Sequence, residues 1–184
     1  ITQEYPHTIG QYFQVYRTTD APMDFSTALE AYQNKLFSPV HHSIINFGID
    51  SKPIWLALSV NNPGQATVNR NLLFETSWLD KIDIYFLQHN QLINTSHLGD
   101  SEKFSQRSLN HRFFVASHHF EPGNTIILIR IASVDAMVLP IYFMSNDDLD
   151  SRKTLQSYSY GFVYGAILGL VAYNLMLYLG LRSS

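Results

Sequence analysis

From Thr154 to Leu181 the chain carries no Asp, Glu, Lys, Arg or His. That run is longer than the roughly 18 residues at which a membrane-spanning helix becomes the default reading. Its denser part, Tyr158–Leu181, extends about 36 Å as a helix, against a hydrocarbon layer of roughly 30 Å. Ten of its side chains are Leu, Ile, Val or Phe. At roughly −0.3 to −0.6 kcal/mol each they favour insertion by about 3–6 kcal/mol, before Asn174 and the glycines subtract. Tyrosines at 158, 160, 164 and 178 lie toward the ends, where amphipathic rings favour the lipid–water interface. Gly161, Gly165 and Gly169 recur every fourth position and make one smooth stripe for a neighbouring helix, and Asn174 wants a polar partner from such a neighbour. These four residues predict a helix that packs in a bundle. The competing reading is a helix buried inside a soluble protein. Arg152 and Lys153 precede the run and Arg182 follows it, so flanking charge does not orient it.

The rest of the chain has a different character. All 15 acidic residues lie at or before Asp150, with nine of the 12 basic ones, so residues 1–150 carry a net charge of −6. Nucleic-acid binding needs a concentrated basic face and is excluded on that sign. With no cysteine, disulfides and thiolate metal sites are excluded, while the compartment stays open. The chain begins at Ile1 without a basic or apolar leader. We read this as a mature or an engineered start, which leaves room for a targeting peptide removed from ahead of it.

Residues 11–145 alternate in short strands with turn signals every 8–12 residues, the pattern of a β-sandwich. Trp55–Val60 places Leu56, Leu58 and Val60 on one face and Trp55, Ala57 and Ser59 on the other. Asn61-Asn-Pro-Gly64 turns the chain. Ile82–Phe86 buries Ile82, Ile84 and Phe86 and shows Asp83 and Tyr85. His89-Asn90 reads as a hairpin tip. Arg112–Ser117 and Thr125–Ala132 flank the turn Glu121–Asn124, and Met137–Met144 closes the set. One helix interrupts early: Thr27-Ala-Leu-Glu30 fits a capping box, with Leu29, Tyr32, Leu36 and Phe37 at helical spacing. The expected architecture is an all-β, antiparallel jelly-roll sandwich over 1–150. A connector at 151–157 and a transmembrane helix at 158–181 follow it.

Several short runs, in order, resemble a known family. They are Asn46-Phe47-Gly48, Trp55-Leu56, Asn61-Asn62, Leu79-Asp80-Lys-Ile-Asp83-Ile-Tyr85, Leu98-Gly99-Asp100, Phe104-Ser-Gln-Arg107, His111-Arg112-Phe-Phe-Val115 and Leu128-Ile-Arg130-Ile-Ala-Ser133. Together they resemble the type-2 extracellular domain of bacterial seven-transmembrane receptors with diverse intracellular signalling modules (DISM receptors). Gly161-Phe-Val-Tyr-Gly165 and Tyr173-Asn174-Leu175 resemble the first of that family's membrane helices. The resemblance spans about residues 40–181. It implies a periplasmic sensor with a jelly-roll shape similar to carbohydrate-binding modules, held at the bacterial inner membrane. It also implies six further helices and an intracellular output, commonly a histidine kinase or diguanylate cyclase, outside this chain.

The candidate sites are few. A small polar ligand or carbohydrate needs an aromatic platform with hydrogen-bonding groups beside it. Trp78, Tyr85 and Tyr142 offer the first, and Asp83, Arg107, His111 and Arg112 the second. Sandwich packing competes for the aromatics, and Trp55 is expected in the core. Arg107 and Arg112 are suited either to clamping a carboxylate or to anchoring their loop to Asp100. Asp80, Asp83 and Asp100, with Glu102 and the Asp147-Asp148-Asp150 cluster, supply oxygen ligands for calcium, against the alternative of a solvated acidic surface with Asp83 pairing across strands with Arg or Lys. The adjacent pairs His41-His42 and His118-His119 point to opposite faces if extended and so do not chelate zinc; surface or turn positions are expected for them. No nucleophile elbow, phosphate-binding loop, thiol or zincin helix occurs, and Asp80 with Asp83 is insufficient for a glycosidase. The expectation is therefore a non-enzymatic sensor with no cofactor beyond calcium. The alternatives are a membrane-tethered carbohydrate-binding module, a calcium-responsive sensor, and a domain that only supports receptor dimerisation.

Overall fold

The computed structural model describes residues 7–17, 23–49, 52–101 and 111–182. They divide into two compact units between Ser145 and Asn146. In the first unit, β1 (Gln14–Arg17), α1 (Phe25–Gln33), β2 (Ser38–Pro39) and β3 (Ile45–Asn46) precede the main strands. Those are β4 (Ile54–Asn62), β5 (Val68–Phe74), β6 (Lys81–Gln88), β7 (Gln91–Leu98), β8 (Phe114–Phe120), β9 (Gly123–Ala132), β10 (Val138–Leu139) and β11 (Ile141–Met144). A six-stranded sheet runs β2-β1-β4-β9-β6-β7, a three-stranded one β11-β5-β8, and β10 pairs β3. Pairing among the described strands is antiparallel throughout. Strand β9 sits between β4 and β6, and β8 lies beside β5. Strands distant in sequence are thus neighbours in both sheets, as wrapping a jelly roll requires. The expected all-β sandwich is the fold observed.

Period-2 alternation builds its core. Leu56, Leu58 and Val60 of β4, Ile82, Ile84 and Phe86 of β6, and Ile127, Ile129 and Ile131 of β9 meet Leu72, Phe74, Phe114, Ala116, Phe120, Ile141 and Phe143 of the other sheet. A second, smaller core covers the outer face of the large sheet. There Trp55, Ala57, Leu87 and Leu128 pack with Ala28, Ala31 and Phe37. This explains why β4 is buried on both faces, with Trp55 only 1% exposed. The buried face of α1 is therefore its alanines, whose small side chains let the helix lie close to the sheet. Leu36, expected on that face, is past the helix end and exposed. The N-cap also differs from expectation: Asp24, not Thr27, takes it, accepting from the Thr27 N–H at 2.9 Å. A carboxylate three residues earlier competes successfully for that donor.

His89 and Asn90 form the two-residue tip between β6 and β7, both with positive φ (51° and 62°). That is the turn geometry whose twist matches antiparallel strands. Pro140, which has no N–H to donate, divides the expected closing strand into β10 and β11.

The second unit is one helix, α2 (Asn146–Arg182). Residues 151–157, expected as a connector, lie within its first turns. Its most apolar 18-residue stretch has a mean hydropathy of 1.8, and the helix is long and apolar enough to cross a membrane. A Cβ built on Gly161, Gly165 or Gly169 meets nothing within 4 Å. Asn174 donates an amide N–H to the Leu170 carbonyl at 2.8 Å. It thus finds one partner within its own helix, a bond Asn makes when no neighbour competes.

Candidate functional site

The residues singled out from sequence have local roles. The Asp83 carboxylate is 2.7 Å from His97 Nδ1 and 3.3 Å from the Arg130 guanidinium. Both partners stand opposite it, on β7 and β9. Tyr85, next on that face, does not offer an open platform. Its ring is stacked between Phe25 of α1, at 4.5 Å, and Trp55, at 5.8 Å. Burial raises the Tyr85 phenol above its ordinary pKa, and the Asp83 charge adds to this. Trp78 is 46% exposed, and its indole N–H donates to the Ala136 carbonyl at 2.9 Å, tying two loops. His111 is buried, and its Nδ1 accepts from the Phe113 N–H. The Arg112 guanidinium lies 5.3 Å from the Phe113 ring centre. Arg107 and Glu102 lie outside the described residues.

The carboxylates expected to hold calcium have protein partners at two of their positions. Asp83 faces the His97 imidazole and the Arg130 guanidinium, and Asp80 accepts from the Val134 N–H at 2.9 Å. Among the described residues no group of three or more His, Cys, Asp or Glu is placed to hold a metal ion. Asp80, Asp83 and Asp100 therefore do not converge. Two of the three carboxylates tie strands and loops: Asp83 pairs across β6 to β7 and β9, and Asp80 holds the loop at Val134.

Two clefts are lined by other residues. One, of about 320 Å³, lies among Ile9, Tyr12, Leu58, Ser59, Val60, Asn61, Pro63 and Phe143 and is mainly apolar. The second, of about 300 Å³, opens where the edge strands of the two sheets approach. Its wall is Gln88 from β6, Ile93 and Asn94 from β7, Ser117, His118 and His119 from β8, and Glu121 from the following turn.

The local sequence explains this cleft. Strand β8 alternates Phe114, Ala116, His118 and Phe120 inward, so one inward position holds an imidazole where its neighbours are apolar. The facing strand β7 is exposed over Gln91–Thr95, leaving that edge of the sandwich unsealed. His118 is 7% exposed. Its ring lies 4.1 Å from Phe86, nearly parallel, and 4.8 Å from Phe120, edge-on. Burial depresses its pKa from 6.5 to about 4, and the charge on His119 beside it contributes further. The ring is therefore neutral at pH 7.

Its tautomer follows from bonding. Asn94 Oδ1 accepts from the Thr95 N–H at 2.8 Å, so the amide nitrogen of Asn94 is the atom facing His118 Nδ1 at 3.4 Å. A donor there makes Nδ1 the acceptor and leaves the proton on Nε2. Nε2 is buried and has no hydrogen-bond partner among the described residues. Gln88 is held by donating to the Pro122 carbonyl at 3.1 Å.

The sequence reading expected surface or turn histidines here and missed His118. The available signal was the inward register Phe114-Ala116-His118-Phe120, once the strand is extended past Ser117.

A family model for the 7TMR-DISM extracellular 2 domain matches residues 10–145. Among solved structures, the native structure of a family 35 carbohydrate-binding module from Clostridium thermocellum is similar at 9% identity and a TM-score of 0.31. That match covers 55% of this chain and 87% of that one. No curated protein matches the chain.

Proposed function

The chain belongs to the 7TMR-DISM extracellular 2 family, and from that premise we propose that it is the ligand-sensing input part of a bacterial inner-membrane signalling receptor. The sandwich lies in the periplasm, and the output, a histidine kinase or diguanylate cyclase, lies in a part of the receptor beyond this chain. One observation carries the reading. Strand β11 of the family-matched sandwich ends at Met144, and the membrane-length helix begins at Asn146. A single residue separates them. A rearrangement of the β11-β5-β8 sheet is thus passed through the backbone to α2 without a slack linker to absorb it. The ligand shifts the receptor only by its difference in affinity between the two arrangements. No catalytic step is assigned to these residues.

The test is topology. The chain is produced behind a cleavable secretory signal, membranes are washed with alkaline carbonate, and intact spheroplasts are treated with proteinase K. The reading expects a carbonate-resistant chain whose sandwich is cleaved from outside. A chain released by carbonate, or one protected until the cells are lysed, defeats it.

A further inference from the structure

We infer that the cleft beside the end of β4 is a binding site for a short extended peptide, which adds a strand to the large sheet opposite Ser59. The lining shows how the cleft lies. Residues 58–61 of β4 all contribute to it, although consecutive side chains on a strand point to opposite faces. A cleft touched by four in a row therefore runs along the strand's edge. Its floor is the end of the main core, where Ile9, Leu58, Val60 and Phe143 meet. At about 320 Å³ it has the size of a small-ligand site.

Hydrogen-bond parity fixes which backbone groups face that edge. The Phe13 carbonyl accepts from the Val40 N–H at 2.9 Å, on the β2 side of β1. In an antiparallel ladder successive residues bond to opposite neighbours, so Gln14 and Tyr16 bond toward β4, to Ala57 and Trp55. Leu58 and Val60 then bond toward β9, to Ile127 and Thr125. Ser59, between them, is exposed and presents its N–H and C=O on the β1 side. Strand β1 begins at Gln14, opposite Ala57. The residue that would carry it on to Ser59 is Tyr12. That residue lies instead in the 3-10 turn Gly10–Tyr12 and donates its N–H to the Ile9 carbonyl at 3.0 Å. The Ser59 N–H and C=O are thereby aimed into the cleft, which the Tyr12 side chain also lines.

This arrangement chooses the ligand. One residue of an extended peptide offers its N–H and C=O on the same side, and so exchanges both bonds with Ser59. Its side chain shares the outer face with that of Ser59. The residues before and after it point to the inner face, over Leu58 and Val60. The fitting sequence is apolar, then small and polar, then apolar.

The inference deepens the input-domain reading and rests on it for its consequence, because occupancy becomes a signal only if the sandwich is joined to a receptor. The binding itself is tested separately, on the full chain in lipid nanodiscs with 15N-labelled serine. The probe is acetyl-valyl-seryl-valinamide. Its counterpart is the same peptide N-methylated at the seryl nitrogen, which keeps every side chain but cannot donate to the Ser59 carbonyl. Titration calorimetry gives the affinities, and hydrogen exchange reports on the Ser59 amide.

The expected result is saturable binding of the first peptide and at least tenfold weaker binding of the methylated one. The first peptide should also slow exchange at Ser59 by about tenfold or more. Ser59→Pro removes the outward N–H and leaves the Leu58 and Val60 bonds to β9 in place. It should weaken the first peptide by a similar factor, with tryptophan emission showing that the variant is folded. The comparison of the two peptides on the unaltered chain holds whether or not that variant folds. Equal binding of both peptides overturns the strand pairing, and no binding of either overturns the site. A Ser59 amide already protected before peptide is added also overturns it, because the chain itself then covers this edge. A chain that never enters the bilayer but binds the first peptide in this way defeats the receptor reading and leaves the site standing.

Discussion

Lowering the pH across the His118 titration should weaken the sandwich by an amount fixed by how poorly the buried ring accepts a proton. In the unfolded chain an imidazole protonates near pH 6.5, whereas in the folded chain His118 resists until about pH 4. Between those values the unfolded state binds more protons, so stability falls as pH falls. With these two values the loss is about 2 kcal/mol by pH 5 and about 3 kcal/mol by pH 4, relative to pH 7. Below pH 4 it levels off, because both states are then protonated. The chain has seven other histidines and 15 acidic groups, whose titrations overlap this window. The measurement is therefore a difference: wild type against His118→Phe, which retains the stacking on Phe86 and Phe120 but cannot titrate. Both tryptophans, Trp55 and Trp78, lie in the sandwich and none in α2. Urea unfolding of the full chain in nanodiscs, followed by tryptophan emission, thus reports the sandwich alone. The gap between the two proteins should shift in favour of His118→Phe by about 3 kcal/mol from pH 7 to pH 4. Curves that stay parallel would show that the ring is solvated or protonated in the folded state, and the assignment of a neutral, buried imidazole would fail.

Three more outcomes are expected. Gly99→Ala should destabilise by roughly 1–3 kcal/mol or more in the same urea assay. Gly99 has φ +136°, and a Cβ there would overlap the Asp80 carbonyl oxygen and lie 2.9 Å from Lys81 Cα. Asp83→Asn, which discharges the carboxylate between His97 and Arg130, should change stability by no more than about 1 kcal/mol, because partly exposed pairs contribute little; a larger loss would mean that this face carries more than a solvated ion pair. Leu170→Arg, near the middle of the apolar run, should cost about 3–4 kcal/mol of insertion free energy. That offsets most of the favourable margin and should leave a large fraction of the chain extractable by carbonate.

Much of the sandwich was legible because its strands obey a period of two. Leu56, Leu58 and Val60 face one core and Trp55 and Ala57 the other, as alternation requires. The hairpin at His89-Asn90 was readable for the same reason, with patterned strands on both sides. What escaped depends on groups remote in sequence. Strand β5 reads Val-Asn-Arg-Asn-Leu-Leu-Phe, and its two asparagines obscure the alternation. Asn71 is nevertheless fully buried, accepting from the Ser117 hydroxyl across the β5–β8 pair, a bond that sequence alone does not pair. Asp24 displaced Thr27 as the cap through a competition between neighbours that a motif match does not weigh.

The site was the least legible part, for a related reason. Charged and aromatic residues such as Asp83, Tyr85 and Trp78 draw attention because free side chains of those types bind ligands. In this fold they are engaged by cross-strand and loop partners that become visible only once β6, β7 and β9 are aligned. His118 had the opposite character. Beside His119 in a short strand it resembled half of a surface pair, yet the register that carries His119 outward carries His118 into the core. An imidazole at an inward position would normally be matched by a polar partner for each nitrogen. Asn94 supplies one and the described residues supply no second. That half-met demand is buried beneath the ring, beside an edge strand that is exposed over Gln91–Thr95.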